Sequence, residues 1–300
     1  MMVKKKDTIY DGPVVVYIGT SANGEDAEAQ MVLEYTIRKN TTMPVEIHWM
    51  KQSHDPNDFW YADVKEQKGW QTQQWPTPFS GYRWGIPAAC GFKGQSIYMD
   101  HDMLVLQDLA ELWNEPWEDG KVAMNKGGWR FCVCKWHNER AEEHLLPIER
   151  LRSVEDSHQR TFNFFAQNIH LLQTFDRQWN NFDGENDKLE DIKILHYTDM
   201  RTQMHGKYVL ERLQKSLGIT KEEAIAAHWF DGEFLAHRRD DVVELFDKLY
   251  QESLDDGYKV DDYVPGNKGK LHNIEPYGEY TKLSQKGYTS ANQFDVSRGE

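Results

Sequence analysis

The chain has few cysteines, no long apolar run and a deficit of basic charge, and each shortage removes a class of protein. Only Cys90, Cys132 and Cys134 occur among 300 residues. Three thiols do not make a disulfide framework, so a reducing, cytoplasmic setting is expected. No apolar stretch approaches the roughly 20 residues needed to cross a bilayer. The basic residues 1–6 lead into a short run, 14–18, that lacks the length and cleavage signal of a secretory peptide. A soluble protein without a transmembrane segment is therefore expected. The formal net charge of −14 argues against a general nucleic-acid binder, which needs Lys and Arg to neutralise phosphates. A local basic pocket for one phosphorylated ligand is compatible with that charge. No internal repeat is visible.

What is present is a globular composition. Hydrophobic residues make up 39% and aromatics 13%, including eleven tryptophans, which excludes a wholly disordered chain. The length allows one large domain or two small ones and a substantial core. Aromatics either fill that core or stack on flat rings such as sugars and bases, and composition does not separate the two uses.

Hydrophobic periodicity predicts an α/β chain. Residues 14–18, Val-Val-Val-Tyr-Ile, form a continuous run typical of a buried parallel strand. A polar loop follows, and residues 25–39 read as a helix with acidic residues at its start and basic ones at its end. Residues 45–50 complete a βαβ unit. Residues 54–78 show no period and are rich in Trp, Gln, Asp and Pro, as functional loops often are. Residues 79–92 are helix-like despite Pro87. Residues 96–99 read as a third strand, and Asp108 as the N-cap of a helix at 109–113. Further strands are predicted at 122–124, 131–136 and 192–195, with Gly127-Gly128 as the turn between the first two. Helices are predicted at 140–152, 159–175, 211–217 and 242–254. From residue 255 the chain turns polar, which predicts a C-terminal extension (255–300) that wraps a catalytic domain (1–254) or stays loose.

Asp100-His101-Asp102 is the only Asp-x-Asp triplet in the chain. It lies just beyond a buried strand, where open α/β sheets bind ligands. Residues two apart in an extended chain face the same side, so both carboxylates can face one ligand while His101 points away. Two such charges 4 Å apart repel by about 4 kcal/mol at an effective dielectric of 20. They call for a shared proton or a cation, and a divalent cation can bridge them to nucleotide phosphates. Read as ordinary turn residues, they would instead bond nearby backbone N–H groups.

Residues 79–87, Phe-Ser-Gly-Tyr-Arg-Trp-Gly-Ile-Pro, and 97–113, from Ile97-Tyr98-Met99 through the triplet to Leu112-Trp113, resemble glycosyltransferase family 8. The resemblance spans roughly residues 14–205. It implies a GT-A fold, that is, a Rossmann-like, mixed but mostly parallel sheet flanked by helices. It implies a metal-dependent transferase acting on a nucleotide-sugar donor, UDP-linked in most members. It assigns the metal to Asp100, Asp102 and His196, the last from Ile194-Leu195-His196-Tyr197. Two carboxylates and one imidazole suit Mn²⁺, with Mg²⁺ the other choice. Ile18, Thr20 and Asn23 fall in the nucleotide-cradling loop, and Arg83 matches the basic residue that contacts the donor. The sequence departs from the family after His196, where Tyr197-Thr198-Asp199-Met200-Arg201 replaces a glycine and a Lys-Pro-Trp run. Arg201 is the candidate substitute for the lysine charge. The family's Asp-Gln pair has no clear counterpart, and Asp156 is the nearest catalytic candidate. The acceptor is an unidentified glycan, protein or lipid.

Two other functions compete. A haloacid dehalogenase-type phosphatase also uses Asp-x-Asp at a strand end, but at the end of the first strand. A non-catalytic sugar-nucleotide or glycan-binding protein would dispense with the missing motifs. Cys132, Cys134, His137 and His144 lack the spacing of common structural zinc sites, so the cysteines read as buried small hydrophobes. The tryptophans between Trp60 and Trp84 read either as an acceptor platform or as core.

Overall fold

Val14, Val16 and Ile18 are β-branched and fully buried, and the strand they form, β1 (Val14–Gly19), organises the main sheet. It leads into α1 (Ala27–Asn40) and then β2 (Val45–Met50), which runs parallel to β1 with Val14 opposite Val45 and Gly19 opposite Met50. The computed structural model describes residues 12–22, 24–63, 66–72, 75–127, 130–218, 220–226 and 235–264.

The chain continues through a small antiparallel pair, β3 (Ala62–Asp63) and β4 (Lys68–Gly69), a 3₁₀ turn (Ser80–Gly85) and α2 (Ile86–Ala89). Next come β5 (Gln95–Asp100), β6 (Met103–Val105), α3 (Leu109–Asn114), β7 (Ala123–Asn125) and β8 (Val133–His137). Three short helices follow, α4 (Asn138–Ala141), α5 (Ile148–Ser153) and α6 (Ser157–Gln167), then β9 (Leu172–Thr174). β10 (Asn181–Phe182) and β11 (Ile194–His196) come next, followed among the described residues by α7 (Gly206–Leu217), α8 (Lys221–Ala226) and α9 (Asp240–Asp255).

The main sheet has the order β2-β1-β5-β8-β7-β9. β2, β1 and β5 are parallel, β8 is antiparallel to both neighbours, and β9 is parallel to β7. A second sheet, β10-β11-β6, stands beside it. This is the mixed α/β architecture with flanking helices that the hydrophobic pattern predicts. On one face, Val14, Val16, Ile18, Ile97 and Met99 meet Leu33 and Ile37 of α1 and Leu109 and Leu112 of α3. On its outer side α1 meets α9, through Met31 and Tyr35 against Val242 and Phe246. No helix among the described residues is long and apolar enough to cross a membrane.

The other face of the main sheet holds the aromatics. Trp60, Trp70, Trp75, Trp84 and Trp136 form one cluster with Tyr82, Phe131 and Phe165, and none exceeds 9% exposure. The tryptophans of residues 54–84 are therefore core and not an exposed platform. The absence of a hydrophobic period there reflects an irregular backbone folded around its own indoles.

Two predicted helices differ. Residues 140–152 do not make one helix. α4 ends at Ala141 and α5 begins at Ile148, because Pro147 lacks an N–H and keeps Leu146 out of helical geometry. The helix predicted at 159–175 stops at Gln167, where Asn168 donates its backbone N–H to Phe164 O and Phe165 O. The chain then enters β9, whose pairing with β7 overrides local helix preference. The polar C-terminal segment is partly docked. Tyr258 and Tyr263 pack against Tyr35 and Trp49, and the Tyr263 hydroxyl donates to Glu34. Residues 265–300 lie outside the described residues.

Candidate metal and donor site

β5 delivers Asp100 to the carboxyl edge of the parallel strands, level with Gly19 at the end of β1. The chain turns through His101 and Asp102 and leaves the main sheet as β6. β6 pairs antiparallel with β11, placing His196 opposite Met103, and the Tyr197 N–H donates to Asp102 O at 2.9 Å. That register carries His196 Nε2 to 3.4 Å from Asp102 Oδ1. Asp100, His196 and the Cys132 sulfur offer ligand atoms that all lie within 4.8 Å of one another. The structure thus brings Asp100 and Asp102 each to His196, but the expected Asp100–Asp102–His196 set is not one ligand group: among the described residues Cys132, not Asp102, completes it.

The donors around these groups fix their orientation. Asp100 Oδ1 accepts from the Tyr98 hydroxyl and from Arg83 Nη2, the latter at 3.3 Å. Arg83 also donates from Nε to Ser80 O and from Nη1 to Phe131 O, both at 2.7 Å, and lies over the Tyr98 ring. Burial opposes its charge, but the Asp100 carboxylate beside it more than offsets this and keeps it cationic. Asp102 Oδ2 accepts from Gln203 Nε2 at 2.7 Å. Asp102 Oδ1 is buried and accepts no hydrogen bond.

His196 Nδ1 lies 3.1 Å from Asn180 Oδ1. The amide oxygen there accepts from Nδ1–H and leaves Nε2 facing Asp102, as in metal-bound histidines. Burial disfavours the imidazolium, yet Asp102 outweighs it and raises the His196 pKa. Reciprocally, burial would raise the Asp102 pKa, but His196 holds it below the usual range. Burial, helped by Asp100, pushes the Cys132 thiol up to about 12, so it is protonated unless a cation displaces the proton.

His101 faces elsewhere. Its Nδ1 is 3.3 Å from Gly19 O, and its Nε2 is 3.1 Å from Asp26 Oδ1. Asp26 Oδ2 accepts from the Thr20 hydroxyl at 3.2 Å and the Ser21 N–H at 3.0 Å. Burial would lower the His101 pKa, but Asp26 outweighs it and pushes the group up to about 9. His205 Nε2 sits 4.0 Å from the same Asp26 oxygen. Its pKa is pushed down to about 4, chiefly by burial.

Of the other donor-site residues, Ile18 and Thr20 are fully buried, and Asn23 lies outside the described residues. Arg201 is exposed and holds Asp199 through Nε and Nη2. Asp156 is engaged by Arg160 one turn along α6 at 2.7 Å. Among the described residues it has no hydrogen bond or ion pair to Asp100, Asp102 or His196. Gly127 adopts a φ of +126°, a glycine conformation, while Gly128 lies outside the described residues. Cys132, Cys134, His137 and His144 form no common ligand group among the described residues. Sequence reasoning missed Asn180, Gln203 and His205, which reach the site through tertiary pairing and carry no local signal.

No family model matches the chain, and no curated protein matches it. Solved structures do resemble it. The apo structure of the bifunctional glycosyltransferase WbbM is 14% identical with a TM-score of 0.48, over 76% of this chain and 53% of that one. The galactosyltransferase LgtC, in complex with donor and acceptor sugar analogues, is 12% identical with a TM-score of 0.43, over 71% and 99%. The apo glycosyltransferase GlyE of Streptococcus pneumoniae TIGR4 is 12% identical with a TM-score of 0.44, over 83% and 65%. The chain thus spans about half the length of WbbM and under two thirds of GlyE.

Proposed function

We propose that this chain is a metal-dependent glycosyltransferase of GT-A type that takes a sugar from a nucleotide-sugar donor, UDP-linked, and passes it to an acceptor hydroxyl. The carrying observation is the convergence of a strand-end Asp-x-Asp with an imidazole from another sheet, at 3.4 Å from Asp102 Oδ1. Ligand atoms of Asp100 and His196 lie within 4.8 Å of each other, and Asp102 Oδ1 stands 3.4 Å from His196 Nε2, so His196 links the two carboxylates. Asp102 Oδ1 is buried and accepts no hydrogen bond, with His196 Nε2 facing it at 3.4 Å, and a cation held by both would satisfy it. Asp100, Asp102 and His196 would hold Mn²⁺ or Mg²⁺. When bound, such an ion neutralises the diphosphate as the sugar departs.

The protein's own groups do the rest of the work. Tyr98 and Arg83 both donate to Asp100 Oδ1, which leaves Oδ2 available to a ligand and keeps the carboxylate from swinging away. Asn180 sets the His196 tautomer. Arg83 adds fixed positive charge beside the metal residues, where it favours a developing anion. Arg201 reaches a diphosphate only by exchanging Asp199 for it. The reading places catalysis within residues 1–254, with 255–300 as an extension. The unpaired thiols Cys90, Cys132 and Cys134 support a cytoplasmic setting.

The phosphatase alternative needs the acidic triplet at the end of the first strand, whereas β1 ends at Gly19 and the triplet follows β5. The test is a thermal-shift screen of UDP- and GDP-sugars with and without Mn²⁺, followed by donor hydrolysis. A ligand at a hundredfold excess over its Kd stabilises by about 2.7 kcal/mol. The proposal expects a metal-dependent shift and slow sugar release, both lost in Asp102→Asn. A shift without any turnover would instead support a binding protein, and indifference to Mn²⁺ and every donor sinks both.

A further inference from the structure

Outside the Asp100–Asp102–His196 group, a second set of ligand-bearing side chains converges. Asp26 at the start of α1, His101 between the two aspartates and His205 in the turn before α7 are all buried. Their ligand atoms lie within 4.8 Å of one another. The three come from separate elements, so their meeting is a product of tertiary structure and not of local composition. His101 alternates with its neighbours along the extended chain and faces away from them.

Asp26 and His101 are aimed from behind. Thr20 and Ser21 occupy Asp26 Oδ2, which turns Oδ1 toward the imidazoles. Gly19 O can only accept, so His101 carries a proton on Nδ1 and points Nε2 at Asp26 Oδ1, 3.1 Å away. His205 Nε2, at 4.0 Å from that oxygen, stands beyond hydrogen-bonding reach. One carboxylate oxygen therefore faces two imidazole nitrogens and bonds at most one. Ligands of a small divalent ion stand about 2.0–2.2 Å from it, a spacing that small shifts of His205 would meet. A backbone carbonyl behind a ring nitrogen and hydroxyl and amide donors behind a carboxylate are the supports that metal ligands carry.

We propose that Asp26, His101 and His205 form a second divalent-metal site, separate from the Asp100–Asp102–His196 group and selective for a Zn²⁺-type ion. Two imidazoles and one carboxylate suit Zn²⁺, whereas Mn²⁺ and Mg²⁺ favour oxygen-rich sets. The ion ties the loop after β1, the β5–β6 turn and the entry to α7. Its binding free energy adds to the stability of the fold.

The experiment is Zn²⁺ titration of the metal-stripped full-length chain, with elemental analysis after dialysis, for wild type, His205→Ala, His196→Ala and Thr20→Val. The expected result is two Zn²⁺ per wild-type chain and one in each histidine variant, with Tm raised by the ion that His205→Ala loses. Thr20→Val removes only the hydroxyl that orients Asp26, and should weaken that ion about 10-fold. A single equivalent in wild type that His205→Ala retains overturns the proposal and leaves an Asp26–His101 ion pair alone. So does a stoichiometry that falls with His196→Ala but not with His205→Ala. Should His205→Ala fail to fold, the wild-type count and Thr20→Val still decide. Two Zn²⁺ bound with no response to any sugar nucleotide would defeat the transferase reading and leave this site standing.

Discussion

Asn180 holds the imidazole of His196 from behind, its Oδ1 3.1 Å from Nδ1. Both are buried, at 0% and 5% exposure, so water does not easily replace the contact. Removing it frees the ring to rotate and exchange tautomers, and the Nε2 lone pair is no longer presented to the carboxylates. Supporting partners of this kind are worth 10–100-fold in metal affinity. Asn180→Ala should weaken Mn²⁺ binding by about that factor while the metal-free protein keeps its circular dichroism spectrum. Unchanged affinity by calorimetry would show that Asn180 does not orient the ring.

Arg83 is expected to fail as a clean probe of donor binding. Its guanidinium bonds Ser80 O, Phe131 O and Asp100 at once. Removing it takes a donor from two carbonyls and leaves Asp100 with the Tyr98 hydroxyl but no counter-charge, and breaking a buried pair typically costs about 3–5 kcal/mol. Arg83→Ala should therefore lose about 3 kcal/mol in urea unfolding without any ligand. Arg83→Lys keeps the charge but not the fork, and should fall between the two. If Arg83→Ala unfolds at the wild-type urea midpoint, the guanidinium is not the brace described and its role is at the donor.

Packing under the site makes a third test. A Cβ on Gly81 would sit 2.3 Å from the Trp75 indole, and that ring is held between Trp70 and Tyr82. Gly81→Ala should cost about 1–3 kcal/mol, as overpacked cores do. Gly184 supplies the control, since nothing lies within 4 Å of its added Cβ. Gly184→Ala should be neutral or stabilise by up to about 1 kcal/mol through the unfolded chain. Equal unfolding midpoints for the two variants would contradict the packing described.

How much of this is legible in the sequence depends on whether the deciding contact is local. Val14, Val16 and Ile18 announce a buried strand because every residue is apolar and β-branched. Asp108 announces a cap, and its side chain does accept from the Ala110 N–H. The joining of His196 to Asp102 is different. Met103–Val105 reads only as an apolar run after the acidic triplet, and nothing in it says that it leaves the main sheet to pair with Ile194–His196. Asp26 and His205 are equally silent, because each is a plausible loop or cap residue until the fold places it beside His101. Pro147 does carry a local signal, and a reading that runs a helix through it gives periodicity too much weight.

The pH dependence of stability should have an acid limb to which His158 contributes, beside the buried His205. Trp84 Nε1 donates to its Nδ1 at 2.8 Å, which requires that nitrogen to be unprotonated. Burial, with Arg83 nearby, pushes the His158 pKa down to about 3. In the unfolded chain the group titrates near 6.5. Between those values the unfolded state binds a proton that the folded state refuses, so stability falls as pH falls. Above about pH 6.5 both states are neutral and the group contributes no slope. The limit is about 1.4 kcal/mol per pH unit, reduced in practice because the ring is only partly shielded from solvent. His158→Gln keeps an acceptor for Trp84 and removes the titration. Urea unfolding from pH 7 to pH 4 should then show a shallower loss in the variant than in wild type, with the two curves converging in slope above pH 7. Parallel acid limbs would mean that His158 protonates in place and that the Trp84 bond does not hold it neutral.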